Sequence, residues 1–138
     1  MIRAIPGEEF KKRHAVAQRK VNERGLDALL VHSNEADFAN VRYLSDYWPI
    51  FESAGVLVPA QGDPMLLIGP ESETFAADRS AIAKIKKLVE YRESAEPDYP
   101  NITVDTFSSI FQEVFGNKKP ARIGLAGWQI FPLPVYQA

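Results

Sequence analysis

The sequence predicts an α/β domain, a β-sheet flanked by helices, from three observations. Residues 6–24 and 104–115 repeat apolar side chains at helical spacing. Residues 27–32, 54–59, 64–69 and 120–126 are short apolar runs of strand length. The first of these strands empties directly into a capped helical piece, a corner common in α/β folds.

Pro6 followed by Glu8 and Glu9 opens the first helix, because proline suits the first turn and carboxylates suit the positive end of the helix dipole. Phe10, His14, Ala17 and Val21 then fall on one face, with Lys11, Lys12, Arg19, Lys20 and Glu23 on the wet side. Gly25 is placed to end the helix as a left-handed cap. His14, isolated on the apolar stripe, is read as a packed histidine. Residues 27–32 follow as a buried strand, and His32 is read as a strand-end side chain bonded to backbone.

A helical piece is expected over 35–43, capped by Ser33 or Asn34, with Asp37 three residues beyond Asn34. The runs 54–59 and 64–69 are joined by Ala60-Gln61-Gly62-Asp63, a turn-forming linker that predicts an antiparallel hairpin. A helix is expected over 71–84 with Phe75, Ala76, Ile82 and Ile85 inward, and Lys84, Lys86 and Lys87 as cations complementing its C-terminus. Residues 87–92 read as a strand, 93–101 as a polar loop, and 104–115 as a helix closed by Gly116. The run 120–126 returns as a strand. Its Gly124 and Gly127 lack the glycine-rich turn into a helix that phosphate binding requires. Residues 131–138 read as the start of another helix, with more chain expected beyond Ala138.

At 138 residues the chain suits a single domain. Hydrophobic residues at 46% and charged residues at 25% are the balance of a soluble globular protein. A net charge of −2 gives no electrostatic drive toward nucleic acid. With no cysteine, disulfides, zinc-thiolate sites and cysteine nucleophiles are excluded, in keeping with a cytoplasmic protein. No signal-peptide pattern or membrane-length apolar run is present.

Function concentrates in residues 34–59, where an aromatic, acidic loop lies between two core strands. No catalytic set accompanies it. The two histidines, His14 and His32, have no metal-ligand spacing. Ser53 has only half of a nucleophile-elbow pattern and precedes a strand. Core strands 28–31, 55–58 and 65–68 carry no carboxylate for a two-ion nuclease. The 138-residue chain is expected to catalyse nothing alone.

The order of elements, with Arg24-Gly25-Leu26, Asp27-Ala28-Leu29-Leu30-Val31 and Asn40-Val41-Arg42-Tyr43-Leu44-Ser45, resembles the N-terminal domain of the creatinase, prolidase and aminopeptidase P family. The likeness spans nearly the whole chain. It implies one domain over 1–138, a mixed sheet flanked by helices with ribonuclease H-like topology, and a metallopeptidase-type parent enzyme. It also implies a following pita-bread catalytic domain that binds two divalent ions such as Mn, Co or Zn, homodimerisation, and a peptide or small amide substrate. The fragment itself has no implied metal or cofactor, no nucleic-acid partner and no membrane partner.

On this resemblance Asn40, Tyr43, Leu44 and Ser45 form a structural corner. Asp46, Tyr47, Trp48, Phe51 and Glu52 are candidates for one wall of the substrate cleft. Creatine-processing members hold substrate with an aromatic and an arginine from this loop. Phe51 takes the aromatic place, but Glu52-Ser53-Ala54 supplies no arginine, so peptides or amides are favoured over creatine. The competing expectation is a free-standing module that binds a ligand or a protein through the Tyr47, Trp48 and Phe51 surface. A third is that these aromatics are simply core.

Overall fold

Alternation along the central strands sends successive side chains into two separate cores, as the two-residue period of a strand requires. Val56 and Val58 point into one core and Leu57 into the other; Leu66 and Ile68 part from Met65 and Leu67 in the same way. In this computed structural model, which describes residues 4–93 and 99–137, the elements are α1 (Gly7–Glu23), β1 (Ala28–Asn34), α2 (Ala39–Ser45), β2 (Ser53–Pro59), β3 (Met65–Ile68), α3 (Glu73–Arg79), β4 (Ile85–Lys87), α4 (Phe107–Phe115), β5 (Ile123–Ala126) and α5 (Leu133–Gln137). The sheet order is β4-β3-β2-β1-β5. β1 and β2 are antiparallel, as are β2 and β3, while β5 joins β1 and β4 joins β3 in parallel. The sheet is therefore mixed.

Side chains from α1, α2 and α3 cover one face, over Val31, Val56, Val58, Leu66 and Ile68. Those of α4 and α5 cover the other, over Leu30, Leu57, Met65 and Leu67. Phe10 and Val21 are the buried residues of α1. The helix ends as its sequence foretold: Gly25 has φ 61°, its N–H donates to Asn22 O, and Leu26 N–H donates to Val21 O at 3.0 Å. This pair of bonds satisfies carbonyls that the helix leaves unpaired, at a residue with no Cβ to oppose the conformation. Asp27 then sets the register of the parallel pair, its Oδ2 accepting from Ala121 N and Arg122 N at 2.7 and 2.8 Å.

Several elements depart from the sequence expectations for local reasons. The helix expected over 71–84 is a 3-10 turn, Pro70–Ser72, followed by α3, which stops at Arg79. Ser80 Oγ exchanges hydrogen bonds with Ile82 N and Ile82 O, a side-chain turn that competes with helix continuation. Ile85 thus joins a strand. Lys84, Lys86 and Lys87 do not close a helix: Lys84 and Lys86 pair with Glu113 of α4, and Lys87 with Glu73.

The strand expected over 87–92 lies earlier, at β4, and Val89–Tyr91 form a 3-10 turn that drops Tyr91 into the core. The helix expected from 104 begins at Phe107. Thr106 caps it, its Oγ1 accepting from Ser109 N while Ser109 Oγ accepts from Thr106 N, both at 3.0 Å. Val104, the first residue of the expected helix, lies outside α4 and is exposed. The helical piece expected over 35–43 is α2, displaced because Asn34 Oδ1 accepts from Ala36 N and Asp37 N, forming a turn before the helix. The helix expected at the end of the sequence is α5; Ala138, and residues 94–98 of the polar loop expected over 93–101, lie outside the described residues.

Candidate functional site

The corner between β1 and β2 is built by short polar side chains that take over backbone bonds. Ser33 Oγ, six residues before α2, accepts from Val41 N at 3.0 Å and so satisfies a donor of its first turn. At the other end Ser45 Oγ donates to Val41 O at 2.7 Å and accepts from Tyr47 N at 3.2 Å. Ala81 N closes the cap by donating to Ser45 O. From α1, His14 Nε2 lies 2.7 Å from Leu44 O and Arg13 Nη1 donates to Tyr43 O at 2.8 Å. The Arg13 guanidinium also lies over the rings of Phe10 and Tyr43.

Of the four expected corner residues, Leu44 and Ser45 are buried, Tyr43 is exposed beneath Arg13, and Asn40 is half-buried. The Nδ2 of Asn40 lies 3.2 Å from where a Cβ on Gly127 would stand.

Asp46 follows with φ 60°, a left-handed residue that turns the chain back over α2. Its side chain is half-buried. Tyr47 consequently points inward and is fully buried, its hydroxyl donating to Glu52 Oε1 at 2.5 Å; Glu52 is itself buried. Burial, and then the Glu52 carboxylate, push the Tyr47 hydroxyl well above the ordinary phenol range, with Ser72 opposing. Tyr47 is therefore neutral and serves as a donor.

Trp48 lies at the boundary, its ring edge-on to Phe75 at 5.4 Å and beneath the Arg42 guanidinium at 4.8 Å. Phe75 also packs against Tyr47. Pro49 is buried, whereas Ile50 and Phe51 emerge at 44% and 69% exposure. The loop is a bracket with two hidden feet, Tyr47 and Glu52, and an apolar tip. The structure thus brings Tyr47, Glu52 and Trp48 together and leaves Phe51 apart in solvent.

The arrangement offers contact surface and no bond-making machinery. Glu52 is engaged by Tyr47, and among the described residues no three His, Asp or Glu side chains converge as a metal site. These residues do not fit a dinuclear centre. Sequence reasoning passed over Ser72, Phe75, Arg13 and Arg42 as parts of this region. Only Arg42 carried a local signal, lying within the Asn40 to Ser45 segment and six residues before Trp48.

A second polar arrangement sits on the other face. His32, expected to bond backbone at a strand end, is instead inside β1 and fully buried, and neither ring nitrogen has a hydrogen-bond partner. The Ile130 backbone approaches the ring without reaching hydrogen-bond geometry. Burial lowers the imidazole pKa to about 4, and the Ile130 backbone only partly opposes it. Its ring packs between Tyr91, at 5.6 Å, and Phe131, at 4.7 Å, and the buried Tyr91 hydroxyl is also unpartnered. Helix α5 extends this face into an apolar groove lined by Leu30, Phe107, Phe111, Phe131, Val135 and Tyr136.

The sequence model for the creatinase/prolidase N-terminal domain matches residues 13–138. The chain belongs to that family. Among solved structures, this creatinase/prolidase N-terminal domain is similar to a proline dipeptidase from Streptococcus pneumoniae, with TM-score 0.60 and 15% identity over 91% of this chain and 80% of that one. It is also similar to the prolidase from Pyrococcus horikoshii, with TM-score 0.60 and 13% identity over 91% of this chain and 28% of the other. The N-terminal domain of the cytoplasmic peptidase PepQ from Mycobacterium tuberculosis matches at TM-score 0.50 and 26% identity, over 58% of each chain. No curated protein matches the chain. The domain spans little more than a quarter of the Pyrococcus chain. No described helix is long and apolar enough to cross a membrane.

Proposed function

We propose that this creatinase/prolidase N-terminal domain forms one wall of the substrate cleft in a dinuclear-metal, Xaa-Pro peptidase-like hydrolase of the cytoplasm. It also contributes to assembling that enzyme as a homodimer. On this reading the two divalent ions and the bond-breaking steps belong to a following catalytic domain. The observation that carries the reading is the bracket: a loop held rigidly from below by Tyr47 and Glu52 presents Ile50 and Phe51 to solvent beside the half-buried Trp48. Exposed aromatic and aliphatic groups on a fixed support bind apolar ligand surface at low entropic cost. Peptides containing proline present such a surface.

The test is Trp48→Ala in the full natural chain. The expected result is a rise of about tenfold in KM for Xaa-Pro dipeptides with metal content unchanged. Unchanged kinetics over a range of peptides would sink the reading. A saturable ligand response with no effect on hydrolysis would favour a free-standing binding module.

A further inference from the structure

We propose that the cleft between α1, the β2–β3 turn and residues 81–84 binds a free α-amino acid as its zwitterion, Asp63 and His14 Nδ1 receiving the ammonium and Lys84 the carboxylate. The inference goes beyond the cleft-wall reading. It uses no residue of the aromatic loop and stands whether or not the domain meets peptide.

The cleft has a volume of about 460 Å³, in the range of small-molecule sites, and three elements wall it. They are His14 of α1, Asp63 and Pro64 of the turn, and Ala81, Ile82 and Lys84 of the segment leading into β4. Each wall is fixed. Gln18 Nε2 donates to Pro59 O at 3.2 Å and to Gly62 O at 2.5 Å, and Asn22 Nδ2 donates to Ala60 O at 2.9 Å, so α1 grips the turn. Pro64 holds the backbone of Asp63 away from helical conformations. In the segment before β4, Ala81 N donates to Ser45 O at 2.7 Å, Ser80 Oγ bonds both N and O of Ile82, and Lys84 O accepts from Leu66 N at 2.8 Å.

Two opposite charges stand on these walls without meeting. Asp63 is exposed, and among the described residues its carboxylate accepts no hydrogen bond and has no cation within 4.0 Å. Lys84 meets one partner among the described residues, Glu113 Oε1 at 3.0 Å, while Glu113 Oε2 holds Lys86 at 2.7 Å. An ammonium has three donors, so Lys84 keeps capacity for a second acceptor. Asp63 and Lys84 both line this cleft and also a smaller one of about 120 Å³. Unlike charges held apart on separate fixed walls are complementary to a ligand that carries both signs.

His14 adds an acceptor on the helix side. Its Nε2 lies 2.7 Å from Leu44 O, a group that only accepts, so Nε2 carries a hydrogen and in the neutral ring Nδ1 is left with its lone pair. Nδ1 is not among the buried unpartnered atoms and is therefore open to the cleft. A lone pair beside a carboxylate suits an ammonium, and Pro64, Ala81 and Ile82 offer apolar wall to a small side chain. An α-amino acid bears both charges on one carbon, whereas a dipeptide spreads them by roughly a further 3.5 Å.

The chain contains two histidines, so His14→Gln identifies the His14 ring resonances in the proton NMR spectrum. L-alanine, L-alaninamide, N-acetyl-L-alanine and L-alanyl-L-alanine are titrated into the 138-residue chain at neutral pH while those resonances are followed. The expected result is a saturable shift with L-alanine, the other three binding about tenfold or more weakly because each lacks a charge or misplaces one. Asp63→Asn and Lys84→Gln should each weaken L-alanine by about tenfold, and Asp63→Glu should retain binding because it keeps the carboxylate. Circular dichroism of each variant verifies that the fold is kept.

No saturable shift with L-alanine, equal affinity for the amide or the acetylated form, tighter binding of the dipeptide, or binding that survives either Asp63→Asn or Lys84→Gln would overturn the proposal. Solvated surface charges with no ligand predict the first of these outcomes. None of the readouts involves hydrolysis, so the result is separate from that of Trp48→Ala on peptide kinetics.

Discussion

Tyr47 Oη donates to Glu52 Oε1 across 2.5 Å, with both side chains buried, and this bond ties the two ends of the aromatic loop to each other. Trp48, Pro49, Ile50 and Phe51 all lie between its partners. Tyr47→Phe removes the donor and leaves a buried carboxylate without it, a larger cost than the loss of an ordinary exposed hydrogen bond. The expected destabilisation is about 1.5–3 kcal/mol, read from the midpoint of urea unfolding at constant m-value. Glu52→Gln keeps an acceptor for the hydroxyl and should cost less. Equal or negligible losses in the two variants would place the loop's rigidity elsewhere.

His32 predicts a pH dependence. Its folded-state pKa, about 4, lies below the ordinary value of 6.5, so between these values the unfolded chain binds a proton that the folded chain does not. Stability from the neutral ring is therefore fully present above pH 6.5 and is lost as pH falls toward 4, by of order 3 kcal/mol. Glu8, Glu23 and Glu113 have lowered pKa values and lose their contributions only below the ordinary carboxylate value of 4.5. Unfolding free energies of the wild type and of His32→Leu should diverge in slope between pH 4.5 and 6.5, the variant being flatter. Parallel curves would mean that the ring is protonated or solvated in the folded protein.

Packing around Tyr91 can be tested at Gly55, which faces His32 across the β1–β2 pair. A Cβ there would stand 2.7 Å from Tyr91 Oη and 3.2 Å from Val31 O. Gly55→Ala should destabilise by about 1–3 kcal/mol. Tyr91→Phe removes an unpartnered hydroxyl and should be close to neutral. The double variant should recover much of the loss in thermal unfolding; simple additivity would contradict the contact. Gly127→Ala should show no such rescue, because its φ is 78° and its Cβ would meet His32 O, a backbone atom, at 2.6 Å.

Thr106→Ala should cost about 1 kcal/mol, since the Oγ1 bond to Ser109 N is the cap of α4. Amide exchange at Ser109 and Ile110 should accelerate more than in the sheet. Uniform acceleration would point to a global effect instead.

These tests fall along the line between what the sequence displayed and what it concealed. Helix α1, its Gly25 cap and the β2–β3 hairpin were legible because the signals are local: a four-three-four spacing, a glycine and a turn-rich linker. The edges of α3, β4 and α4 were not, because Ser80, Asp105 and Thr106 decide them through side-chain bonds or pairing that periodicity ignores. At the loop, the composition showed an aromatic cluster but gave no direction to each ring. The turn at Asp46 sends Tyr47 inward and Trp48 to the boundary, while Phe51 stays outside. The Tyr47–Glu52 bond and the Arg42–Trp48 stack both follow from that turn, and neither has a spacing rule from which to predict it.

The central claim is that the exposed tip meets peptide substrate, and Phe51→Ala tests it most directly. At 69% exposure, Phe51 can be truncated with little loss of packing, so folding does not confound the result. Steady-state hydrolysis of an Xaa-Pro dipeptide by the full natural chain is the measurement. The account predicts a fall in kcat/KM of about tenfold, which is roughly 1.4 kcal/mol, with the unfolding midpoint unchanged. An unaltered kcat/KM in a stably folded Phe51→Ala variant would contradict it.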